Sequence, residues 1–198
     1  LAGVTDDEVA FFIRPAEDTG MDARVDAAGN RLPQAASFEL LLCCGAAEKV
    51  CNGVLLAVFR GASRLGDWPL SEIVGLTLMV VHGGRVLAGW AVVSVLAVLL
   101  QKQLKSRYGR LRPCELPAGP PQRAPIPDHG SFPSGHTLHA VMAAVVSASL
   151  LPAAAPLFLL AALVIAASRV VLGVHYPSDV LAGAALGGIL ASILLAFL

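Results

Sequence analysis

Long apolar runs separated by short polar breaks dominate the chain from residue 73 onward. A helix that spans a membrane needs about 20 mostly apolar residues. Residues 137–167 contain no Asp, Glu, Lys or Arg, and Pro152 and Pro156 divide them into two arms, which predicts two helices joined by a short turn. The other apolar runs are residues 73–81, 86–100 and 178–198. The pattern predicts an all-α integral membrane helical bundle with five or six transmembrane helices.

The last apolar run carries a stripe of small residues. Ala and Gly occupy six of the seven positions from residue 182 to residue 188. Small side chains allow two membrane helices to approach closely. We therefore expect this stripe to serve helix packing and not chemistry.

The first part of the chain follows a different pattern. Residues 1–36 are polar and acidic, and we interpret them as an extra-membrane segment that is loosely ordered or forms a short helix. Residues 38–64 mix apolar positions with charges such as Glu48 and Lys49, so they form either a spanning helix or an amphipathic helix at the membrane interface. We accordingly divide the chain into a polar segment, 1–36, and a membrane-embedded domain, 37–198.

Composition and charge support a membrane protein with chemistry in its apolar part. Of the 198 residues, 56% are hydrophobic and 14% are charged, whereas a soluble domain has about 25% charged residues. Residues 1–72 hold eleven acidic and six basic side chains, and residues 73–198 hold three acidic and eight basic ones. Charge is costly in an apolar segment and is usually retained there for function. Membrane-like runs flank the basic residues, which excludes a nucleic-acid-binding face.

The rare polar residues of the apolar part gather at predicted helix ends. They form three stretches, namely residues 105–113, 131–136 and 168–179. A predicted loop, 101–128, joins the first two stretches, and a loop of this length is uncommon unless it is functional. Two helices follow Ser134, one in each direction, and they return the chain to the same side near Arg169. The topology therefore predicts that all three stretches meet at one membrane face.

These stretches have the composition of a phosphate site. They contain three strong cations, Lys105, Arg112 and Arg169. A guanidinium group matches the oxygen atoms of phosphate with two parallel donors. Ser134 and Gly135 precede an apolar helix, whose first backbone N–H groups form an anion site at the positive end of the helix dipole.

Two histidines in the same stretches indicate phosphoryl transfer. One imidazole can attack phosphorus while the other protonates the leaving oxygen, and the candidates are His136 and His175. Asp179 follows His175 by four residues, so its carboxylate can reach the ring and fix the tautomer if a helix begins near Pro177. A plain helix cap is a second, compatible role for Asp179. His139 shares a helix face with His136, and we interpret it as structural.

Several of the basic residues also have a simpler interpretation as membrane anchors. Lys105 and Arg112 could also be anchors on the positively charged side of a membrane protein. We interpret Arg107 and Arg110 as such anchors or as contacts to lipid headgroups.

In their order along the chain, the three stretches resemble the three motifs of the type 2 phosphatidic acid phosphatase family. That superfamily also includes vanadium haloperoxidases and bacterial acid phosphatases. The matching residues are Lys105, Arg112 and Pro113, then Pro133, Ser134, Gly135 and His136, then Ser168, Arg169, His175 and Asp179. Each motif alone is a weak signal, but three in the family's order are a strong one. The motifs cover residues 105–179.

The resemblance implies a role for each matching residue. His175 would be the nucleophile that forms a phosphohistidine, Asp179 would orient it, and His136 would be the general acid. The phosphate would be held by Lys105, Arg112, Ser134, Gly135 and Arg169. No metal and no other cofactor is expected in the family, so these cations would stabilise the charge of the transition state in place of Mg²⁺.

The predicted function is a metal-independent membrane lipid phosphatase. Its partners would be the bilayer and a lipid phosphate substrate, either undecaprenyl diphosphate or a phosphatidate-type lipid, and no nucleic acid. One alternative is a non-catalytic lipid or anion transporter or binding protein on the same fold. Another alternative is vanadate-dependent halide oxidation. The sequence predicts no oligomeric state.

The membrane orientation has two competing predictions. Counting positive charges places the face with residues 105–112 in the cytoplasm. The resemblance to bacterial relatives instead implies a multi-pass protein of the cell (inner) membrane with its active site on the periplasmic or outer face. We adopt the second prediction, because chemistry already explains these cations.

Overall fold

The computed structural model describes residues 34–50, 53–67, 69–126, 128 and 130–198. These residues form seven α-helices and a short 3₁₀ helix, and they contain no strand. The helices are α1 (Gln34–Lys49), α2 (Gly53–Leu65), α3 (Pro69–His82), α4 (Gly84–Tyr108), α5 (Gly135–Leu150), α6 (Ala155–Val171) and α7 (Pro177–Ala196), with the 3₁₀ helix at Pro113–Glu115. The prediction of an all-α chain is confirmed. The predicted polar segment 1–36 lies outside the described residues, except for its last three, which begin α1.

The five apolar runs of the sequence form helices α3 to α7. Among these, α4 and α7 are long and apolar enough to cross a membrane, and α3, α5 and α6 are shorter apolar helices. Large apolar side chains on their outer faces point away from the protein, such as Leu160 on α6 and Leu181 on α7. An apolar outer surface of this extent is typical of contact with lipid.

Residues 38–64 form parts of two helices, α1 and α2. Both are shorter than the roughly 20 residues of a full span. The end of α1 is held by Arg123, whose Nη1 donates hydrogen bonds to the carbonyl oxygens of Ala47 at 2.8 Å and Val50 at 3.1 Å. Helix α2 packs against α6.

The predicted loop 101–128 begins too early, because α4 continues to Tyr108. Gln, Lys, Leu and Arg, which fill this stretch, are good helix formers, so the helix extends beyond the apolar run. It ends at Gly109, whose φ of 54° is left-handed and whose N–H donates to the carbonyl oxygen of Lys105 at 2.9 Å. Lys105 therefore lies on a helix and not in a loop.

Helix α5 lies at the centre of the bundle and packs most extensively against α7 and α6. The small-residue stripe of α7 faces the backbone of α5. A Cβ atom on Gly183 would lie 2.4 Å from the carbonyl oxygen of Ser134, and one on Gly187 would lie 2.3 Å from that of Leu138. The predicted packing role of the stripe is thus what the structure shows, and the close approach brings the first turn of α7 beside the start of α5.

Candidate active site

The structure brings the three polar stretches together around one cavity of about 520 Å³, which we call the helix-end cavity. Six of the predicted site residues line it, namely Lys105, Arg112, Gly135, His136, Arg169 and His175. The other two, Ser134 and Asp179, are completely buried behind its wall. The gathering at one end of the bundle follows from the alternating direction of α4 to α7.

A tight turn after α6 positions His175. Its N–H donates to the carbonyl oxygen of Arg169 at 3.1 Å. The turn passes through Gly173, which has a φ of 74° and where a Cβ atom would lie 3.0 Å from Pro120 and 3.1 Å from the carbonyl oxygen of Pro121. Both the positive φ and the close contacts require glycine. This turn fixes the imidazole of His175 relative to the guanidinium of Arg169.

The His175 ring is buried between a carboxylate and a guanidinium. Its Nδ1 lies 3.6 Å from Oδ2 of Asp179, which is longer than a hydrogen bond, and its Nε2 lies 3.4 Å from Nη1 of Arg112. Burial, aided by Arg169 and Arg112 and opposed by Asp179, lowers the pKa of His175 to about 3. The ring is therefore neutral at physiological pH. With its proton on Nδ1, toward Asp179, the Nε2 lone pair is free to attack an electrophile.

Asp179 lies in a network of polar contacts at the start of α7, two of which hold its carboxylate directly. Its Oδ2 accepts the N–H of Tyr176 at 2.9 Å, and its Oδ1 accepts a hydrogen bond from Nη1 of Arg110 at 2.8 Å. Arg110 also pairs with Glu39 at 2.6 Å and lies 4.0 Å from the centre of the Tyr176 ring. Glu39 in turn accepts the N–H of Ser178 at 2.8 Å. Asp179 thus caps α7 and faces His175 at the same time.

Two buried arginines give the cavity its positive charge. Arg112 donates through Nη1 to the carbonyl oxygen of Val174 at 2.9 Å, and Arg169 donates through Nη1 to the hydroxyl of Ser63. The Nε atoms of both arginines are buried without a hydrogen-bond partner among the described residues. Leaving a buried charged donor unpaired is costly. These donors suit an anion that enters the cavity.

A carboxylate of the chain itself lies between two of the cations. Asp128 accepts a hydrogen bond from Nζ of Lys105 at 2.6 Å through Oδ2, and from Nη2 of Arg112 at 2.8 Å through Oδ1. Its two oxygen atoms show that the spacing of Lys105 and Arg112 suits two oxygens of one oxyanion.

The start of α5 contributes Gly135 but not the hydroxyl of Ser134. The Oγ of Ser134 lies 3.0 Å from Oγ1 of Thr137, and its N–H donates to the carbonyl oxygen of Asp179 at 3.0 Å. Both polar groups therefore already have partners. Gly135 faces the cavity, where the amide of Gln101 packs so closely that a Cβ atom on Gly135 would lie 1.9 Å from its Oε1.

His136 forms a second histidine–carboxylate pair. Its Nε2 lies 2.5 Å from Oδ1 of Asp67, which belongs to the turn between α2 and α3. The hydrogen bond to His136 is the main cause that lowers the pKa of Asp67, so this carboxyl is ionised. The Asp67 side chain is 49% exposed. The pair therefore lies at the open mouth of the helix-end cavity, where protons exchange with solvent.

This arrangement coincides with a match to a known family. Residues 86–198 match the model of the PAP2 superfamily, which is more than half of the chain. The chain belongs to the PAP2 superfamily. The site residues from Lys105 to Asp179 all lie within the matched part.

The chain is similar to curated PAP2 proteins named as phosphatases. It is 41% identical over 100 residues to the lipid A 1-phosphatase of Rhizobium etli, a match that covers 48% of this chain and only 42% of that protein's length. It is 32% identical over 146 residues to the decaprenylphosphoryl-5-phosphoribose phosphatase of Mycobacterium tuberculosis, covering 70% of this chain and 78% of that protein.

Two solved structures share the PAP2 architecture. The transmembrane PAP2-type phosphatidylglycerolphosphate phosphatase of Bacillus subtilis aligns with a TM-score of 0.69 and 26% identity, covering 84% of this chain and 87% of that one. Aquifex aeolicus LpxE aligns with a TM-score of 0.68 and 24% identity, covering 81% and 94%. The second likeness is one of fold. The chain is thus a membrane PAP2 protein.

The structure adds residues to the candidate site that the sequence analysis missed. Arg110, interpreted there as an anchor or lipid contact, instead binds Asp179, because Gly109 ends α4 and turns the chain back toward α7. Other site residues could have been found from the rare acidic residues of the apolar part of the chain. The three acidic residues of 73–198 are Glu115, Asp128 and Asp179. Glu115 accepts the N–H of Arg112 at 2.6 Å, so all three contact the site's arginines.

Among the described residues, no group of three or more His, Cys, Asp or Glu side chains is arranged to hold a metal ion. The charged side chains that line the cavity are instead the cations Lys105, Arg112 and Arg169 and the carboxylates Asp67, Glu72 and Asp128.

Proposed function

We propose that this chain is a membrane lipid phosphatase, which hydrolyses a phosphomonoester or diphosphate of a lipid without a metal ion and through a phosphohistidine intermediate. The observation that carries the proposal is the place of His175. The Nε2 atom of its neutral ring lies 3.4 Å from Nη1 of the buried Arg112. Both residues line the helix-end cavity, and so does His136. A nucleophile, an anion cradle and an acid thus face one space.

In the first step, Nε2 of His175 attacks phosphorus and the bond from phosphorus to the ester oxygen breaks. Asp179, whose Oδ2 lies 3.6 Å from Nδ1, faces this side of the ring and stabilises the positive charge that develops on it. The cations Lys105, Arg112 and Arg169 stabilise the charge on the phosphoryl oxygens, which is the main task in phosphoryl transfer.

His136 protonates the leaving oxygen in this step. Asp67, at 2.5 Å from its Nε2, orients the ring and favours its protonated form. In the second step His136 accepts a proton from water, the water oxygen bonds to phosphorus, and the phosphorus–nitrogen bond to His175 breaks. Inorganic phosphate leaves and both histidines return to their starting forms.

The substrate of the proposal is a lipid. The cavity lies at the helix ends, and the outer faces of α3 to α7 are apolar, so a phosphate can enter the cavity while its hydrocarbon tail stays in the bilayer. Undecaprenyl diphosphate and phosphatidate-type lipids fit this description. We assign the activity to the domain 37–198, in a multi-pass protein of the cell (inner) membrane with its site on the periplasmic or outer face.

The test measures phosphate release by the purified protein in detergent with EDTA present. We expect the wild type to release phosphate from lipid phosphates, and a His175→Ala variant to release none. His82→Ala is the matched control, because His82 bonds to the carbonyl oxygen of Leu150 and does not line the cavity. Radiolabelled p-nitrophenyl phosphate, whose leaving group needs no proton, should leave a label on His136→Gln protein that is stable to alkali and lost in acid.

Two results would contradict the proposal. Full activity of His175→Ala would remove the nucleophile. Movement of a lipid or anion across liposomes with no phosphate release would instead support the transporter alternative.

A further inference from the structure

Two polar atoms on the wall of the helix-end cavity have no role in the proposed chemistry. Nδ1 of His139, on α5, and Oγ of Ser94, on α4, are buried without a hydrogen-bond partner among the described residues. Both residues line the same cavity as His136 and His175. Buried polar groups in native proteins are nearly always paired, so each exception needs an explanation.

Both residues lie deeper in the helix-end cavity than His136, on the side away from its mouth. His139 lies one turn beyond His136 on the same face of α5, which is about 5 Å deeper along the helix axis. Ser94 lies two turns before Gln101 on α4, about 10 Å from it along the axis. Gln101 packs against Gly135 at the start of α5, so Ser94 lies deeper in the cavity than His139.

This side is where the leaving group must lie. The attacking and leaving atoms are roughly in line in phosphoryl transfer. His175 attacks from one side, so the leaving oxygen lies on the opposite side, within reach of His136. A leaving group that extends from His136 along α5 passes His139 first and Ser94 next.

Besides Asp128, two carboxylates also line this cavity, in addition to the cations that face the phosphate position. Asp67 is ionised at the mouth, and Glu72 in the first turn of α3 lines the cavity and forms no ion pair among the described residues. These carboxylates repel an anionic leaving group and accept hydrogen bonds from hydroxyl groups. Between the polar positions, α4 presents Val95, Val98 and Leu99 to the cavity.

We propose that His139 and Ser94 form a subsite that binds oxygen atoms of a neutral, hydrogen-bonding leaving group, namely the sugar or glycerol part of a lipid phosphomonoester. Polar atoms at two depths match a group that carries several hydroxyl or carbonyl oxygens. A prenyl chain carries none, and the group that leaves from a prenyl diphosphate is an anionic prenyl monophosphate. The inference rests on the proposed function, because it assigns the leaving-group side of that reaction.

The test compares kcat/KM for phosphate release from three lipids in the same detergent: dioleoyl phosphatidate, undecaprenyl monophosphate and undecaprenyl diphosphate. We expect the wild type to prefer phosphatidate over both prenyl substrates by about tenfold or more, since a site built to hydrogen-bond a substrate discriminates against one that lacks the partner. In Ser94→Ala and His139→Leu, the ratio of phosphatidate to monophosphate should fall about tenfold.

Ser192→Ala is the matched control, since the Ser192 hydroxyl bonds to the carbonyl oxygen of Gly188 on the same helix. Its substrate ratio should equal that of the wild type. An equal loss on both substrates in Ser94→Ala would show a structural role and overturn the subsite, as would a wild-type preference for either prenyl lipid. If the wild type releases no phosphate from any of the three, the proposed function itself fails.

Discussion

Two histidine–carboxylate pairs face the same cavity, and they are built differently. His175 and Asp179 are four residues apart at the start of α7, fully buried, with a distance of 3.6 Å between Nδ1 and Oδ2. His136 and Asp67 come from distant parts of the chain and meet at the solvent-exposed mouth at 2.5 Å. One pair is fixed by local geometry, and the other is assembled only by the packing of α3 and α5 around the cavity.

In the proposed mechanism, the difference in surroundings separates a nucleophile from an acid. Burial beside two arginines keeps the His175 ring neutral, which leaves a lone pair for attack. At His136 the hydrogen bond to the exposed Asp67 carboxylate favours the protonated ring and opposes burial, which favours the neutral one, and the open mouth lets the pair exchange protons with water. The same pair of residue types thus performs two tasks, according to burial and charge.

The largest expected effect is the loss of the buried pair's imidazole. His175→Ala should lower kcat for phosphate release by about 10⁴-fold or more, because removal of a covalent nucleophile leaves only the binding and electrostatic contributions. The measurement is phosphate release from phosphatidate. A loss of less than tenfold would mean that His175 is not the nucleophile.

The next largest effect concerns the mouth pair. His136→Gln should lower kcat for a lipid phosphomonoester by about 10²- to 10⁴-fold, the usual contribution of a general acid. The rate of the first step, measured as release of the leaving group in a single turnover, should fall much less for p-nitrophenyl phosphate, whose leaving group needs no proton. His175→Ala should abolish both reactions. An equal loss of the first-step rate on both substrates in His136→Gln would contradict the assignment of acid and nucleophile.

The sequence predicted the pairing of His175 with Asp179 but not the pairing of His136 with Asp67. Asp179 lies four residues after His175, a spacing that a helix start turns into a contact, so this pair could be predicted. Asp67 precedes His136 by several helices, and nothing in the sequence specifies which turn will lie above α5. For the same reason Glu39, on α1, could not be assigned to Arg110.

The bundle itself was more predictable than its edges. Five apolar runs predicted α3 to α7, and the alternating direction of these helices predicted that the three polar stretches meet. The end of α4 was misplaced, because polarity marks where a helix leaves the apolar zone and not where it stops. Gly109 was the better signal, since its left-handed conformation ends the helix.

A smaller effect follows from the neutral state of His175. The unfolded chain binds a proton at an ordinary histidine pKa of about 6.5, whereas folded His175 does so only at about 3. Its contribution to stability is therefore complete above pH 6.5 and is lost as pH falls from about 6.5 toward 3, by about 3 kcal/mol at pH 4.5.

Thermal unfolding in detergent at pH 7.5 and pH 4.5 measures this loss. His175→Gln has no such titration, so its stability should fall less between the two pH values than that of the wild type. His136→Gln is the comparison variant for the mouth pair. An identical pH dependence in wild type and His175→Gln would contradict a neutral, buried ring.

The smallest expected effect sharpens the role of the exposed carboxylate. Asp67→Asn keeps a side chain of the same shape but removes the charge that favours protonated His136, so kcat should fall about tenfold and the alkaline limb of its pH profile should move about one unit lower. The other charges near His136, Arg169 and Lys105, are unchanged in this variant and favour the neutral ring. Asp67→Glu retains the charge and should restore the limb toward the wild-type position. If Asp67→Asn lowered kcat equally at every pH, with the limb unmoved, Asp67 would only support the turn between α2 and α3, and the mouth pair would owe its protonation to solvent access alone.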